Sequence, residues 1–293
     1  MKHTFYVLHE GFYDGVAQRL ELLEAACKSR NVSFVPLDSL KCDYANLPRL
    51  GTSDLLYNCA RGSQVLESLL LNDEVTTFYI RNPDYTLITS TLTWSLVHEK
   101  AGLPAPKTVY ALTADRNMLR RYVEYLDGFP IVLKAEGGTR GIGTIKIDSW
   151  QGLVSLADHL MTSGQKFVMR QFIDAPYGVR AMVLGHRVVA ALKFLFPPDD
   201  FRNAALLSDV RYEQTSLSTE HEALCVRAAQ LANLEMGGVD LLFDYDGRAY
   251  LLEINLPTGF QSFSGVPWRI HDKWLCYLLE KSVCKSFPNR GTS

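Results

Sequence analysis

The sequence GGVDLLFDYDGRAYLLEIN (residues 237–255) has two apolar runs separated by an Asp-Gly pair, which favours a tight β-hairpin. Side chains two apart in a strand share a face, so Glu253 and Asn255 should project together, while Asp240 begins the first strand. A carboxylate inside the apolar run LLEIN is costly to bury without a partner. Two carboxylates and an amide oxygen suit Mg²⁺, so the pattern favours a metal site over three solvated strand residues.

A second segment, VLKAEGGTRGIG (residues 132–143), ends an apolar strand at Lys134 and adds four glycines. It is not a Walker phosphate loop, because Thr144 stands where a lysine is required, and no helix follows for a dinucleotide-binding turn. Glycines that join strand to strand can still cover a nucleotide, because backbone N–H groups approach phosphate oxygens closely where Cβ atoms are absent. Taken alone, the segment fits a nucleotide-covering flap and a plain hairpin equally well.

The N-terminal part of the chain alternates strand and helix signals. TFYVLH (residues 4–9) is rich in β-branched and aromatic residues, and residues 16–27 place apolar side chains on one helical face. Three further buried strands are predicted at VSFVPL, DLLYNC and TTFYIR (residues 32–37, 54–59 and 76–81). This order predicts a small parallel α/β sheet.

Composition limits the classes of partner and the compartment. The 30 basic residues nearly balance the 32 acidic ones among 293 residues, so neither a nucleic-acid surface nor a membrane-binding basic patch is indicated. No apolar run approaches the ~20 residues of a membrane span, and the N-terminus lacks a signal peptide's apolar core. The six cysteines form no C-x-x-C pair, which favours reduced thiols and predicts a cytoplasmic protein.

Seven segments, taken in chain order, resemble the ATP-grasp superfamily of carboxylate–amine ligases, in particular the RimK-like branch that includes the ribosomal-protein-S6 glutamate ligase. They are GLPAPKT (102–108), IVLKAEGGTRGIG (131–143), VMRQFI (168–173), VRAMVLGHRVVAAL (179–192), FRN (201–203), GGVDLL (237–242) and LLEIN (251–255). The resemblance implies an α/β and α+β fold, in which a small N-terminal parallel α/β domain precedes a two-lobed ATP-grasp fold. The expected divisions are an N-terminal domain 1–85, an N-lobe 86–170, a C-lobe 171–284 and a disordered tail 285–293.

The resemblance also implies roles for individual residues. Those expected to bind ATP are Lys134, Gly137, Gly138, Thr139, Arg140, Gly141, Ile142, Gly143, Arg170, Gln171, Phe172, Ile173, Lys193 and Asn203. Residues 169–173 resemble the hinge between the two lobes, whose backbone hydrogen-bonds the adenine edge. Those expected to act on the transferring phosphoryl group are Lys134, Arg180 and Arg202. The metal ligands would be Asp240, Glu253 and Asn255, holding Mg²⁺ or alternatively Mn²⁺.

The implied reaction begins with attack of a substrate carboxylate on the γ-phosphoryl group of ATP. An amine then captures the acyl phosphate, giving an amide or peptide bond with release of ADP and phosphate. Small-molecule carboxylates and amines are therefore the expected partners, with an amino acid, a peptide or a protein tail as acceptor. Neither nucleic acid nor membrane is expected as a partner. The oligomeric state cannot be read from the sequence, and the resemblance leaves a homodimer open, since dimers are common among similar ligases.

Departures from the family pattern keep other functions open. Ser90 and Thr91 replace the usual Asp-Lys pair, and the acidic residue expected just before Arg180 is absent, leaving Asp174 as a substitute. The missing lysine favours an ATP-binding regulatory or scaffold protein without ligase activity, whereas the intact metal set favours a ligase. A D-alanine–D-alanine-type ligase is a further alternative, opposed by Gly238 where that branch has an arginine.

Overall fold

The computed structural model describes residues 2–11, 16–80, 91–111, 113–135, 143–164, 167–196, 200–202, 211–256 and 269–286. Its strands are β1 (Thr4–His9), β2 (Ser33–Asp38), β3 (Asp54–Asn58), β4 (Thr108–Val109), β5 (Ile131–Ala135), β6 (Thr144–Ile147), β7 (Phe167–Gln171), β8 (Tyr177–Leu184), β9 (Arg187–Leu195), β10 (Arg211–Gln214), β11 (Met236–Phe243) and β12 (Ala249–Asn255). Its α-helices are α1 (Val16–Lys28), α2 (Gln64–Leu70), α3 (Thr91–Lys100), α4 (Arg116–Tyr125), α5 (Trp150–Ser163), α6 (Thr219–Leu231) and α7 (Ile270–Ser286). Among these helices, none has both the length and the apolar content needed to cross a bilayer.

The N-terminal sheet is parallel, with strand order β2-β1-β3. Helix α1 covers it with the side chains that the helical spacing predicts, including Leu20 and Leu23. The predicted strand at residues 76–81 is wrong: Thr76 forms one parallel bridge to Leu55, and Tyr79 then forms an antiparallel bridge to Leu234. The chain leaves this sheet after one residue because its next backbone partner lies in the C-terminal half.

Two antiparallel sheets follow, which is the α/β and α+β arrangement predicted from the sequence. The sheet of the N-lobe has strand order β4-β7-β5-β6, and the sheet of the C-lobe has strand order β10-β9-β8-β11-β12. Helices α4 and α5 begin at capping side chains: Asp115 accepts hydrogen bonds from two backbone N–H groups of α4, and Ser149 accepts one from Gly152. The caps fix where the two helices begin beside the N-lobe sheet.

The N-terminal sheet shares one hydrophobic core with the C-lobe. That core extends from Phe5 of β1 to Leu278 of α7, and Trp274 of α7 lies fully buried against Tyr57 of β3, with ring centroids 5.6 Å apart. Lys281 of α7 reinforces the contact by donating hydrogen bonds to main-chain carbonyls of the N-terminal part, 2.8 and 3.0 Å away. The N-lobe packs around a separate core. The domain boundaries at residues 85, 170 and 284 stay predictions. The predicted disordered tail lies outside the described residues from residue 287 onward.

Two buried histidines predict a loss of stability in mild acid. Burial, aided by the charge of Arg19, lowers the pKa of His271 to about 4. Burial also lowers the pKa of His98, whose Nε2 lies 3.0 Å from the carbonyl oxygen of Ala228. Because the unfolded chain binds protons near pH 6.5 and the folded chain does not, the free energy of unfolding falls as the pH drops below about 6.5.

For His271 alone the expected loss is roughly 2 kcal/mol by about pH 5. His271→Phe keeps an aromatic ring against Trp274 but cannot titrate, so its unfolding free energy should vary less between about pH 7.5 and pH 5. Urea denaturation at both pH values measures this difference. An identical pH dependence in the variant and the parent protein would contradict the assignment.

Candidate active site

Three charged side chains lie in one row across the C-lobe sheet. Asp240 of β11 pairs with Arg180 of β8 on one side and with Glu253 of β12 on the other. Directly paired residues of antiparallel strands project from the same face, so all three side chains face the same way. Asn255 pairs with Gly238, two residues before Asp240, and joins the same face. The structure thus brings the three predicted metal ligands together with Arg180.

Hydrogen bonds connect these side chains to the other lobe. The guanidinium of Arg180 holds Asp240 through two bonds, Nε to Oδ1 at 2.7 Å and Nη2 to Oδ2 at 2.6 Å. Asn255 Nδ2 donates to Asp240 Oδ2 (3.3 Å) and to Glu253 Oε1 (3.1 Å). From the N-lobe, Lys134 Nζ reaches Glu253 Oε2 at 2.7 Å. We call Lys134, Arg180, Asp240, Glu253 and Asn255 the interlobe cluster.

Burial and charge set the protonation of the cluster. Burial opposes ionisation of Glu253, but the Lys134 ammonium and the hydrogen bonds from Lys134 and Asn255 outweigh it and lower the pKa of Glu253 to about 2. Burial raises the pKa of Asp240, although Arg180 acts in the opposite direction. The two acids and two cations balance in charge. The cluster is therefore a compact set of carboxylate oxygens that are already matched by positive charge.

The N-lobe sheet has a polar face of its own, on the side from which Lys134 projects. Lys146, Val132, Arg170 and Thr108 lie in one row across β6, β5, β7 and β4. Lys134 lies two residues after Val132 on the same face, whereas Leu133 and its neighbours on the other face pack into the N-lobe core. Three cationic side chains therefore share the face from which Lys134 reaches the C-lobe.

Arg170 is the least exposed of these cations, at 7%. Its Nε donates to Thr108 Oγ1 (3.2 Å), and its Nη2 donates to Ser95 Oγ of helix α3 (3.5 Å). The carboxylates of Glu253 and Glu99 interact with it electrostatically. The sequence predicted Arg170 only as part of a hinge that binds adenine through its backbone. A charge inside the apolar strand VMRQF is the signal that its side chain has its own role.

Arg170→Gln is expected to lower the free energy of unfolding by about 2 kcal/mol. The change removes a buried donor to two hydroxyl groups and the positive charge that interacts with the carboxylates of Glu253 and Glu99. The matched control is Lys146→Gln in the same row, since the Lys146 ammonium is half-buried and makes a long ion pair with Asp148, at 3.6 Å, and a contact with the ring of Phe172. That control should change the unfolding free energy by less than about 0.5 kcal/mol. Equal losses in the two variants, measured by urea denaturation, would contradict this ranking.

The other predicted hinge residues have different surroundings. Gln171 pairs with Ile131, so its side chain projects from the face opposite Arg170, and its Nε2 donates to Asp127 Oδ2 at 2.7 Å. Phe172 lies under the Lys146 ammonium, 4.5 Å from its ring centroid, and its ring contacts Phe201 edge-on at 6.1 Å. Ile173 follows β7 and is partly exposed. The backbone of this segment stays the predicted adenine contact.

Two predicted residues are not brought to the cluster. Lys193 pairs with Val179, so it projects from the face opposite Arg180, and its ammonium lies 4.3 Å over the ring of Tyr177. A shift of one residue in the pairing register moves a side chain to the other face of the sheet, and the sequence spacing between distant strands does not reveal that register. Arg202 instead holds Asp200, with Nη2 to Oδ2 at 2.8 Å.

Several predicted nucleotide contacts lie outside the described residues. They are Gly137, Gly138, Thr139, Arg140, Gly141, Ile142 and Asn203. Gly143, the last residue of the predicted flap, is described and has a φ of 80°. This backbone conformation suits glycine because it has no Cβ.

A profile of the RimK-like ATP-grasp domain matches residues 93–268, more than half of the chain. The chain belongs to the RimK-like ATP-grasp family. A probable alpha-L-glutamate ligase of Legionella pneumophila (strain Corby) is 29% identical over 221 residues, covering 74% of this chain and 69% of that protein. The RimK-like identity agrees with the family predicted from the seven sequence segments.

Two solved structures show the same fold. The ATP-grasp ligase PsnB, complexed with minimal precursor, Mg and ADP, superposes with a TM-score of 0.68 and 19% identity, covering 94% of this chain and 97% of PsnB. A D-alanine–D-alanine ligase from Bacillus anthracis complexed with ATP gives a TM-score of 0.68 and 15% identity, with 97% of each chain covered. These likenesses confirm the predicted two-lobed fold. As a member of the RimK-like family, the chain is an ATP-dependent ligase that forms carbon–nitrogen bonds.

Proposed function

We propose that this RimK-like chain uses ATP to activate a substrate carboxylate as an acyl phosphate, which a substrate amine then captures to give an amide. The observation that carries the proposal is the interlobe cluster. It places carboxylates, an amide and two cations where the two lobes meet, and Lys134 and Glu253 connect the lobes directly at 2.7 Å. Such a site suits phosphoryl transfer, which depends on positioning and on charge neutralisation rather than on a protein nucleophile.

The cluster also fits a bound Mg²⁺. Asp240, Glu253 and Asn255 offer the hard oxygen ligands that Mg²⁺ takes from proteins, and the nucleotide and water would supply the rest. When bound, the ion would neutralise negative charge on the phosphate oxygens of ATP. Mn²⁺ prefers similar oxygen ligands and is proposed as an alternative ion.

Lys134 and Arg180 would act on the reacting phosphoryl group. Both are cations whose N–H donors already contact carboxylate oxygens, and phosphate oxygens accept from the same donors. Fixed donors of this kind stabilise the charge that develops on the transferring group without reorganisation. Arg202 is proposed as a third cation, although in this structure it holds Asp200.

Closure of the lobes would protect the acyl phosphate from water. The N-lobe has its own hydrophobic core, while the C-lobe shares one with the N-terminal sheet. Two bodies with separate cores can move against each other without breaking either core, which supports closure over the nucleotide.

For the substrates, we propose glutamate as the amine and a peptide or protein end as the carboxylate acceptor. Support comes from the relatives named probable alpha-L-glutamate ligase and from the PsnB structures with precursor peptide. The test incubates the protein with ATP, Mg²⁺ and a panel of amino acids, with and without peptides, while ADP release and product masses are measured. ADP release that depends on glutamate plus peptide, with a glutamyl mass gain, is the expected result.

The same panel separates the alternatives. Nucleotide binding without ADP release for any substrate would favour a regulatory or scaffold protein, the function that Thr91 favours. Release with D-alanine alone would favour a D-alanine–D-alanine-type ligase. Repeating the reaction with Mn²⁺ in place of Mg²⁺ tests the alternative ion.

The proposal also includes the compartment of the protein and its oligomeric state. A cytoplasmic location is supported by six free thiols, of which those of Cys27, Cys59 and Cys225 are buried. A homodimer is supported by the family resemblance, and light scattering after size-exclusion chromatography measures it. Fractionation of cells that express the chain checks the compartment.

A further inference from the structure

A groove of about 310 Å³ lies away from the interlobe cluster, between the end of α1, the turn that joins β8 to β9, and the first half of α7. Its polar lining includes Arg30, Arg187, Arg269, Asp272 and Lys273, and we call it the α7 groove. No residue of the interlobe cluster lines it. A volume of this size is in the range of sites that bind small molecules or short peptide segments.

Positive charge dominates the α7 groove. Among the described residues, four basic side chains line it against two acidic ones, Asp272 and Glu280, although the whole chain has a net charge of −2. Asp272 is held between Arg30 (Nη1 to Oδ1, 2.6 Å) and Arg269 (Nε to Oδ2, 2.8 Å), so one carboxylate meets two guanidinium groups. The groove therefore keeps an excess of two positive charges inside an otherwise slightly acidic protein.

The remaining two cations are directed to neutral partners or to solvent. Lys273 Nζ donates to the carbonyl oxygen of Val189 (3.0 Å), which carries no formal charge. Arg187 begins β9 at the turn and is exposed. Both can receive an anion without giving up a carboxylate partner, because no described residue holds either of them in an ion pair.

The floor of the groove is apolar and firmly packed. Leu184 and Tyr277 line it, and the ring of Tyr277 stacks on Phe78 at a centroid distance of 6.3 Å. Gly185 brings the β8–β9 turn against this ring with a φ of 63°, and a Cβ at that position would meet the Tyr277 ring at 2.9 Å. The turn and the helix are thereby held together, so the basic side chains surround a preformed surface.

From this lining we infer that the α7 groove binds an acidic polypeptide segment, a run of glutamate or aspartate residues in the protein or peptide substrate. Cations spread over three elements fit several successive carboxylates better than one compact anion, and the apolar floor fits the aliphatic part of glutamate side chains. The near balance of charge over the whole chain, 30 basic against 32 acidic residues, opposes a nucleic-acid partner. This inference rests on the proposed function only for its statement that the bound segment belongs to the substrate.

The test measures binding by fluorescence anisotropy without nucleotide, using labelled hexaglutamate, hexaglutamine and hexalysine peptides. Hexaglutamate alone should bind, with an affinity that falls as salt is added. The double variant Arg187→Glu with Lys273→Glu should weaken its binding by about tenfold or more. Arg121→Glu, an exposed charge reversal on α4, should not change it.

Thermal melting and ligation of small substrates serve as controls. Both should be unchanged in the double variant, since neither Arg187 nor Lys273 belongs to the interlobe cluster. If the double variant fails to fold, Arg187→Glu alone at the exposed turn gives the same comparison. Equal hexaglutamate affinity in the parent and charge-reversed proteins, or no binding by the parent, would overturn the inference. Specific hexaglutamate binding without ADP release for any substrate would instead refute the proposed ligase function and leave the groove assignment standing.

Discussion

Asp240→Asn is expected to lower the turnover number by about 10²–10³-fold or more in a protein that still folds. Asparagine keeps the shape of the side chain but removes the charge that meets Arg180 through two hydrogen bonds, at 2.6 and 2.7 Å. The change also removes one of the two carboxylates proposed to hold Mg²⁺. The loss should appear in ADP release under saturating ATP, because the affected contacts act on the phosphoryl group.

The matched control for this change is Asp246→Asn. Asp246 lies in the turn of the same hairpin, its side chain is 74% exposed, and its ion pair with Arg248 is long, at 3.8 Å. Turnover within about twofold of the parent is expected for this control, as for most exposed substitutions. Near-parental turnover in Asp240→Asn would remove the basis for placing the metal at the interlobe cluster.

Trp274→Ala is expected to lower the free energy of unfolding by about 3–5 kcal/mol. Trp274 is fully buried in α7 and contacts Tyr57 of the N-terminal sheet, so its loss opens a cavity between two parts of the chain that are distant in sequence. Trp274→Phe should cost less, because it keeps an aromatic ring and the indole N–H has no hydrogen-bond partner among the described residues.

Hydrogen exchange can localise this effect. Amides of β1 and β3 should exchange faster in Trp274→Ala, whereas amides of β5 and β7 in the N-lobe should keep their protection. Trp150→Ala, which removes a ring packed on the N-lobe core, is the matched control and should give the reverse pattern. Unchanged exchange in β1 and β3 would show that the shared core does not stabilise the N-terminal sheet.

Local patterns in the sequence predicted much of this arrangement. The Asp-Gly turn and the two-residue period of LLEIN suffice to place Glu253 and Asn255 on one face, and the same reasoning places Lys134 at the end of a strand. These signals depend only on neighbours along the chain. Local signals therefore suffice to orient three members of the interlobe cluster within their own strands.

Other features depend on pairing between distant segments. The bond between Arg180 and Asp240 requires a register across 60 residues, and the same register turns Lys193 to the opposite face. The buried contacts of Arg170 likewise require helix α3 and strand β4 to meet over β7. An apolar face in the sequence indicates burial, but it does not say which sheet or helix will cover it.

The common core of the N-terminal sheet and α7 has a consequence for biosynthesis. Ser282 of α7 donates to the carbonyl oxygen of Thr52, a contact that spans 230 residues. During translation, the apolar surface around Phe5 and Tyr57 emerges from the ribosome long before Trp274 exists to cover it. Protein domains generally fold as they emerge, but the packing of this one is completed only when α7 has been made, and until then chaperones that bind exposed apolar surface have access to it.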